Sequence, residues 1–115
     1  MNADKPALGS PDPEYIDLAV AVFSMLVGPT RVRIILALRD RELSVGQIAE
    51  AVDKAPAAVS QHLAKLRLAR MVARRQEGQR IFYSLTNEHA RQLVADALLQ
   101  AEHAVDEHPA HHGRP

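Results

Sequence analysis

The chain has 115 residues, one domain's worth, and its 14 basic and 14 acidic side chains give a formal net charge of zero. A monomer of this size buries roughly two-thirds of its unfolded surface, so a partner subunit would add stability. Without cysteine it has no disulfide, thiolate metal ligand, cysteine nucleophile or thiol redox sensor. No serine triad or phosphate-binding glycine loop is evident either, so an enzyme is not expected. The start of the chain lacks a basic segment followed by an apolar run, and no stretch reaches the ~18 apolar residues of a membrane span. A cytoplasmic protein is expected.

Neutrality conceals a division of charge. From Lys54 to Arg80 seven cations (Lys54, Lys65, Arg67, Arg70, Arg74, Arg75, Arg80) face one acid, Glu77. From Asn87 onward the balance reverses, with Glu88, Asp96, Glu102, Asp106 and Glu107 against Arg91 and Arg114. A basic middle and an acidic, histidine-bearing end point to two tasks.

Residues 1–13, with three prolines and a glycine, read as a flexible arm. From Glu14 a helical period begins, with Ile16, Ala19, Val20, Phe23 and Leu26 or Val27 at three- and four-residue spacing until Gly28-Pro29 stops it. Pro29-Thr30 opens a second helix to about Leu38, with Val32, Ile35 and Leu36 inside and Arg31, Arg33 and Arg39 outside. Ser44 with Gln47 makes a capping box for a helix from Val45 to about Val52 that buries Ile48, Ala49 and Val52. After a short connector, Pro56 suits a first helical position, and the helix continues to about Leu68. Val59, Leu63 and Leu66 form its buried stripe, Ser60, Gln61, Lys65 and Arg67 point outward, and His62 lies near the edge. Two short helices joined by a turn, ahead of a basic segment, are the pattern of a helix-turn-helix.

Met71–Arg75 reads as a strand, Gln76–Gln79 as its turn and Arg80–Leu85 as the returning strand, a wing with arginines near its tip. Which face is core is left open by the adjacent Phe82 and Tyr83. Asn87 caps a last helix to about Val105, whose apolar positions Ala90, Leu93, Val94, Ala97, Leu98 and Ala101 exceed what one small domain needs. The predicted fold is therefore mainly α: a homodimeric winged helix-turn-helix at residues 14–105 with five helices and a two-stranded wing. A flexible tail, 106–115, carries His108, His111 and His112.

Such a fold would place Ser60, Gln61 and Lys65 at base edges in the major groove of double-stranded DNA, where Gln61 can pair bidentately with adenine. Arg67 belongs to the same basic face, and Arg74, Arg75 and Arg80 are expected at the DNA backbone or minor groove. A two-fold dimer would read an inverted repeat with half-sites about 34 Å apart. Use of the basic face for a protein partner is the competing reading of the same charges.

His89 and His103 are 14 positions apart, about 21 Å along one helix, too far to share a metal within a chain. They can meet only across an antiparallel pair of last helices, with Glu102, His111 and His112 available to complete each site. By spacing alone, lone histidines such as His89 and His103 are more often surface or hydrogen-bonded residues with no metal role. Ligands of nitrogen and oxygen without sulfur suit nickel, cobalt or zinc.

Glu42-Leu43-Ser44-Val45-Gly46-Gln47-Ile48-Ala49, the run Ala58–Arg67 containing Ser60-Gln61-His62-Leu63, and Gly78–Leu85 together resemble the ArsR/SmtB family of bacterial metal-responsive repressors. The resemblance spans roughly Val20 to His103. It implies a homodimer joined by the first and last helices that binds an operator when metal-free and is released by metal, switching on an exporter. Family members with thiolates in the helix before the recognition helix have them where Ser44 and Gly46 stand here, so that site is absent. Asn87 and Gln100 depart from the ligands of the zinc-type site on the last helix. Asn87-Glu88-His89, Arg91–Val94, Ala101–Ala104 and His111-His112 resemble instead the actinobacterial nickel/cobalt-sensing subgroup. That likeness implies His89, Glu102, His103, His111 and His112 as ligands for Ni(II) or Co(II), with Zn(II) as an alternative. A repressor of this fold without metal sensing is the competing function.

Overall fold

The computed structural model describes residues 12–106. Its elements in chain order are α1 (Pro13–Met25), α2 (Pro29–Ala37), β1 (Leu43–Ser44), α3 (Val45–Val52), α4 (Pro56–Leu68), β2 (Val72–Glu77), β3 (Arg80–Leu85) and α5 (Glu88–Asp106). His108, His111, His112 and most of the expected arm and tail lie outside the described residues. Asp12 and Pro13 start α1: the Asp12 carboxylate accepts the Glu14 amide at 2.9 Å, and Pro13 occupies a first-turn position where its missing N–H costs nothing.

The core is aliphatic. Val59, Leu63 and Leu66 of α4 are fully buried, as are Ile34 and Ile35 of α2 and Ile48 of α3. Ala90 and Val94 of α5 belong to the same cluster. Gly28, at a φ of 116° that side chains rarely adopt, precedes Pro29 and lets the chain turn by 89° between α1 and α2. The capping box of α3 is complete: Ser44 Oγ accepts the Gln47 amide at 3.3 Å, and Gln47 Oε1 accepts the Ser44 amide at 2.9 Å. Asp53 ends α3 in the left-handed conformation, and Pro56 opens α4 three residues later.

The sheet has three strands, not the expected two, in the order β1-β3-β2. The hairpin β2–β3 is joined by Leu43 and Ser44, which pair with Tyr83 and Phe82. A two-residue strand carries no readable alternation, and Ser44 is also the helix cap, so periodicity gives no sign of it. The wing turn is also tighter than expected, because Glu77 pairs with Arg80 and only Gly78-Gln79 remains as loop. Gly78 takes φ 62°, the positive value that tight hairpin connections require. The core face is the one bearing Val72, Leu43, Tyr83 and Leu85, all buried or packed against the core.

Helix α1 has no buried residue. Val22, Met25 and Leu26 pack against the core, whereas Ile16, Val20 and Phe23 are exposed, Val20 at 61% and Phe23 at 57%. Leu98, Leu99 and Val105 on the second half of α5 are exposed as well. No single described helix is long and apolar enough to cross a membrane.

Candidate nucleic-acid interface

Burying Val59, Leu63 and Leu66 fixes the rotation of α4 and turns its opposite side outward. Ser60, Gln61, Lys65 and Arg67 are all exposed, Gln61 and Lys65 on that side and Ser60 and Arg67 along one flank of it. Lys65 and Arg67 also lie in the last turn of α4, where cations complement the helix dipole, so their charge serves the helix as well as the surface.

The wing divides its arginines. Alternation along β2 and β3 puts Arg75, Arg80 and Phe82 on the face away from the core, while Arg74, opposite Tyr83, lies on the other. The guanidinium groups of Arg75 and Arg80 stand 5.1 and 4.9 Å from the centre of the Phe82 ring, within cation–π range. Arg75 also pairs with Glu42 just before β1 and lies 3.6 Å from Glu77. The Arg75 hydrogen bond holds the Glu42 carboxyl below the ordinary carboxylate range. Arg80 stays exposed, so a phosphate can reach it while Arg75 is held by carboxylates. Phe82 and Glu42 are thus parts of this surface that sequence reading did not single out. Glu42 and Arg75 are 33 residues apart, and no local pattern links them.

Arg31 likewise differs from its expected place outside. It is half-buried, its Nε donating to His62 Nδ1 at 3.1 Å and its Nη1 to the Met25 carbonyl at 3.2 Å. Burial, followed by the charges of Arg31, Lys65 and Lys54, pushes the His62 imidazole below its usual 6.5. His62 is therefore a neutral acceptor at neutral pH.

On α5, Asn87 Oδ1 accepts the His89 amide at 2.9 Å, so the asparagine works as a helix cap. His89, Glu102 and His103 are exposed, the first near the start of the helix and the others near its end. Among the described residues no three histidine or acidic side chains of one chain come together as a metal cluster. The available donors, imidazole and carboxylate, fit a nitrogen- and oxygen-preferring divalent ion chemically, but one chain does not gather them.

A helix-turn-helix with a polar, basic outer face on its second helix, followed by a hairpin carrying cations, defines a winged-helix DNA-binding protein. Residues 28–74 match the bacterial regulatory protein family arsR. The chain is 53% identical over 105 residues to the HTH-type transcriptional regulator KmtR of Mycobacterium tuberculosis, spanning 89% of this chain and 81% of that protein. It is 32% identical over 100 residues to the HTH-type transcriptional repressor SmtB of the same species, spanning 86% and 74% of the two chains. In structure it is similar to the homodimeric winged helix-turn-helix DNA-binding domain of Mb0332 from Mycobacterium bovis. The TM-score is 0.75 at 26% identity, with 84% of this chain and 89% of that one covered. The chain belongs to the ArsR family of bacterial regulatory proteins; it is a DNA-binding transcriptional regulator and not an enzyme.

Proposed function

We propose that this protein is a homodimeric repressor that binds an inverted-repeat operator when metal-free and releases it on binding Ni(II) or Co(II), thereby controlling metal efflux. One observation carries the reading: α5 holds exposed imidazoles near both ends, and while Ala90 and Val94 enter the core, Ala97, Leu98, Leu99 and Ala101 between the imidazoles are exposed. Phe23, Leu26, Leu93, Ala97 and Leu98 border an apolar groove of about 300 Å³ between α1 and α5. Covering exposed apolar surface of this kind favours self-association. An antiparallel meeting of two α5 helices would bring His89 of one chain beside the partner's His103 and Glu102, giving two equivalent sites. His111 and His112 would add donors from the tail.

Ni(II) and Co(II) accept five or six nitrogen and oxygen ligands, which suits this set. Asn87 accepts the His89 amide as a helix cap, and its neutral amide oxygen is a weaker metal donor than the carboxylate that a zinc-type site has at that position. In the dimer Ser60, Gln61 and Lys65 would read base edges in successive major grooves, with Arg67, Arg74 and Arg80 on phosphates or in the minor groove and Arg75 joining them when it leaves Glu42. Metal ties between subunits would set their relative twist. If that twist departs from operator spacing, metal and DNA binding oppose each other, with a coupling of up to ~3 kcal/mol, about 150-fold.

Titrating the metal-free protein with Ni(II), Co(II) and Zn(II) while following stoichiometry tests the site. Two equivalents per dimer are expected, lost in His89→Ala and His103→Ala. Stoichiometric binding retained in both variants overturns it.

A further inference from the structure

We propose that Arg31 and His62 are positioning residues for DNA reading: through one guanidinium they tie the last turn of α1 to the recognition helix α4 and set how that helix is presented. The proposal rests on α4 being the helix that reads DNA. The Met25 carbonyl is among those left unpaired at the end of α1, and Arg31 satisfies it with Nη1 while Nε reaches His62. A planar guanidinium directs these donors in a fixed geometry, which a flexible ammonium cannot copy. Helix α1 buries no residue of its own, so deep packing does little to fix its direction relative to α4. The polar tie has correspondingly more weight.

The pair also defines the state of the imidazole. Arginine donates and cannot accept, so Nδ1 must keep its lone pair and the ring proton resides on Nε2. His62 lies between exposed Gln61 and buried Leu63, at the edge of the surface that α4 turns outward. Among the described residues the charges that act on the ring are positive: Arg31 from α2, Lys54 from the turn between α3 and α4, and Lys65 from α4 itself. Protonation would remove the acceptor for Arg31 and set a fourth cation among these three.

The sign follows from linkage. With the folded pKa below the unfolded 6.5, the contribution of neutral His62 is complete above 6.5 and is lost as pH falls through the folded value. Sequence-specific affinity should therefore fall on acidification. Affinity for arbitrary DNA should not fall with it, because an added cation on this face attracts phosphate.

The test compares a duplex selected by the protein from a random library with a scrambled duplex of the same length, between about pH 7.5 and 5.5. For the wild type the ratio of the two affinities should drop on acidification. Arg31→Ala should lower it about tenfold at the upper pH, the scale of a lost hydrogen bond to a charged group. Arg31→Lys should not restore it, and His62→Gln, which keeps an acceptor but gains no proton, should flatten the pH profile. Should the Arg31 variants fail to fold, nitrogen NMR of the wild-type imidazole decides. An Nε2–H tautomer titrating below 6.5 supports the pair, and an Nδ1–H tautomer or a value at or above 6.5 overturns it. A ratio unaffected by pH and by Arg31→Ala overturns the positioning role alone; no preference for any duplex at the upper pH overturns both it and the reading of α4.

Discussion

Glu42 and Arg75 are joined by two hydrogen bonds, Nε to Oε2 at 3.0 Å and Nη2 to Oε1 at 2.8 Å, which tie the segment entering β1 to the wing. This carboxylate occupies a cation that DNA would otherwise attract. Glu42→Gln should therefore tighten binding to arbitrary duplex DNA and steepen its salt dependence by about one phosphate contact. Affinity measured against salt concentration checks this, and an unchanged slope contradicts it. The pair has a pH signature as well. Because Arg75 lowers the Glu42 pKa, the pair's contribution to stability is present above the unfolded value of 4.5 and is lost as pH falls through the lower folded value. Urea midpoints of wild type and Glu42→Gln should converge in that acid range.

The outer face of α4 predicts two distinct losses. Gln61→Ala should cost about 1–3 kcal/mol at one base position and relax specificity there. Lys65→Ala should weaken all sequences about equally and lower the salt slope by about one. Affinities for a set of singly substituted operators distinguish the two. Equal effects of both variants on every sequence would remove Gln61 from base reading.

Leu63 is fully buried beside Val59 and Leu66, so Leu63→Ala should destabilise the fold by about 2–5 kcal/mol through lost transfer energy and the cavity left behind. Total stability of a domain is only about 5–15 kcal/mol, so a large fraction is at stake. Urea unfolding measures it. A loss under about 1 kcal/mol would mean that the core relaxes around the gap.

Phe23 and Val20 are exposed in the isolated chain and lie on the helix assigned here to the subunit interface. Phe23→Asp should leave the fold intact and convert the dimer to monomer, with loss of binding to a two-half-site operator. Sedimentation velocity reads the outcome. A dimer that persists with unchanged affinity would place the interface elsewhere.

Much of this architecture was legible from sequence because its signals are local. The Ser44–Gln47 capping box, Pro56 at the start of α4 and the Val59–Leu63–Leu66 stripe each lie within one or two helical turns, and the structure reproduces them. Helix α1 resisted, because apolar residues occur around most of its circumference and periodicity selects no single face. Val22, Met25 and Leu26 meet the core, while much of the expected stripe is exposed. The third strand, the Glu42–Arg75 pair and the Arg31–His62 bond were hidden for another reason. Each joins segments more than thirty residues apart, and no spacing rule links them. The ligands assigned to metal face the same limit in stronger form, since their proposed meeting spans two chains.

The most direct test of a metal-released repressor is the affinity of the dimer for its operator, followed by fluorescence anisotropy in the metal-free state and with stoichiometric Ni(II), Co(II) or Zn(II). Tight metal-free binding is predicted, weakened by up to ~150-fold with Ni(II) or Co(II). The weakening should vanish in His89→Ala and His103→Ala and shrink when His111 and His112 are replaced. Operator affinity that none of the metals alters, in a protein that binds them stoichiometrically, would contradict it.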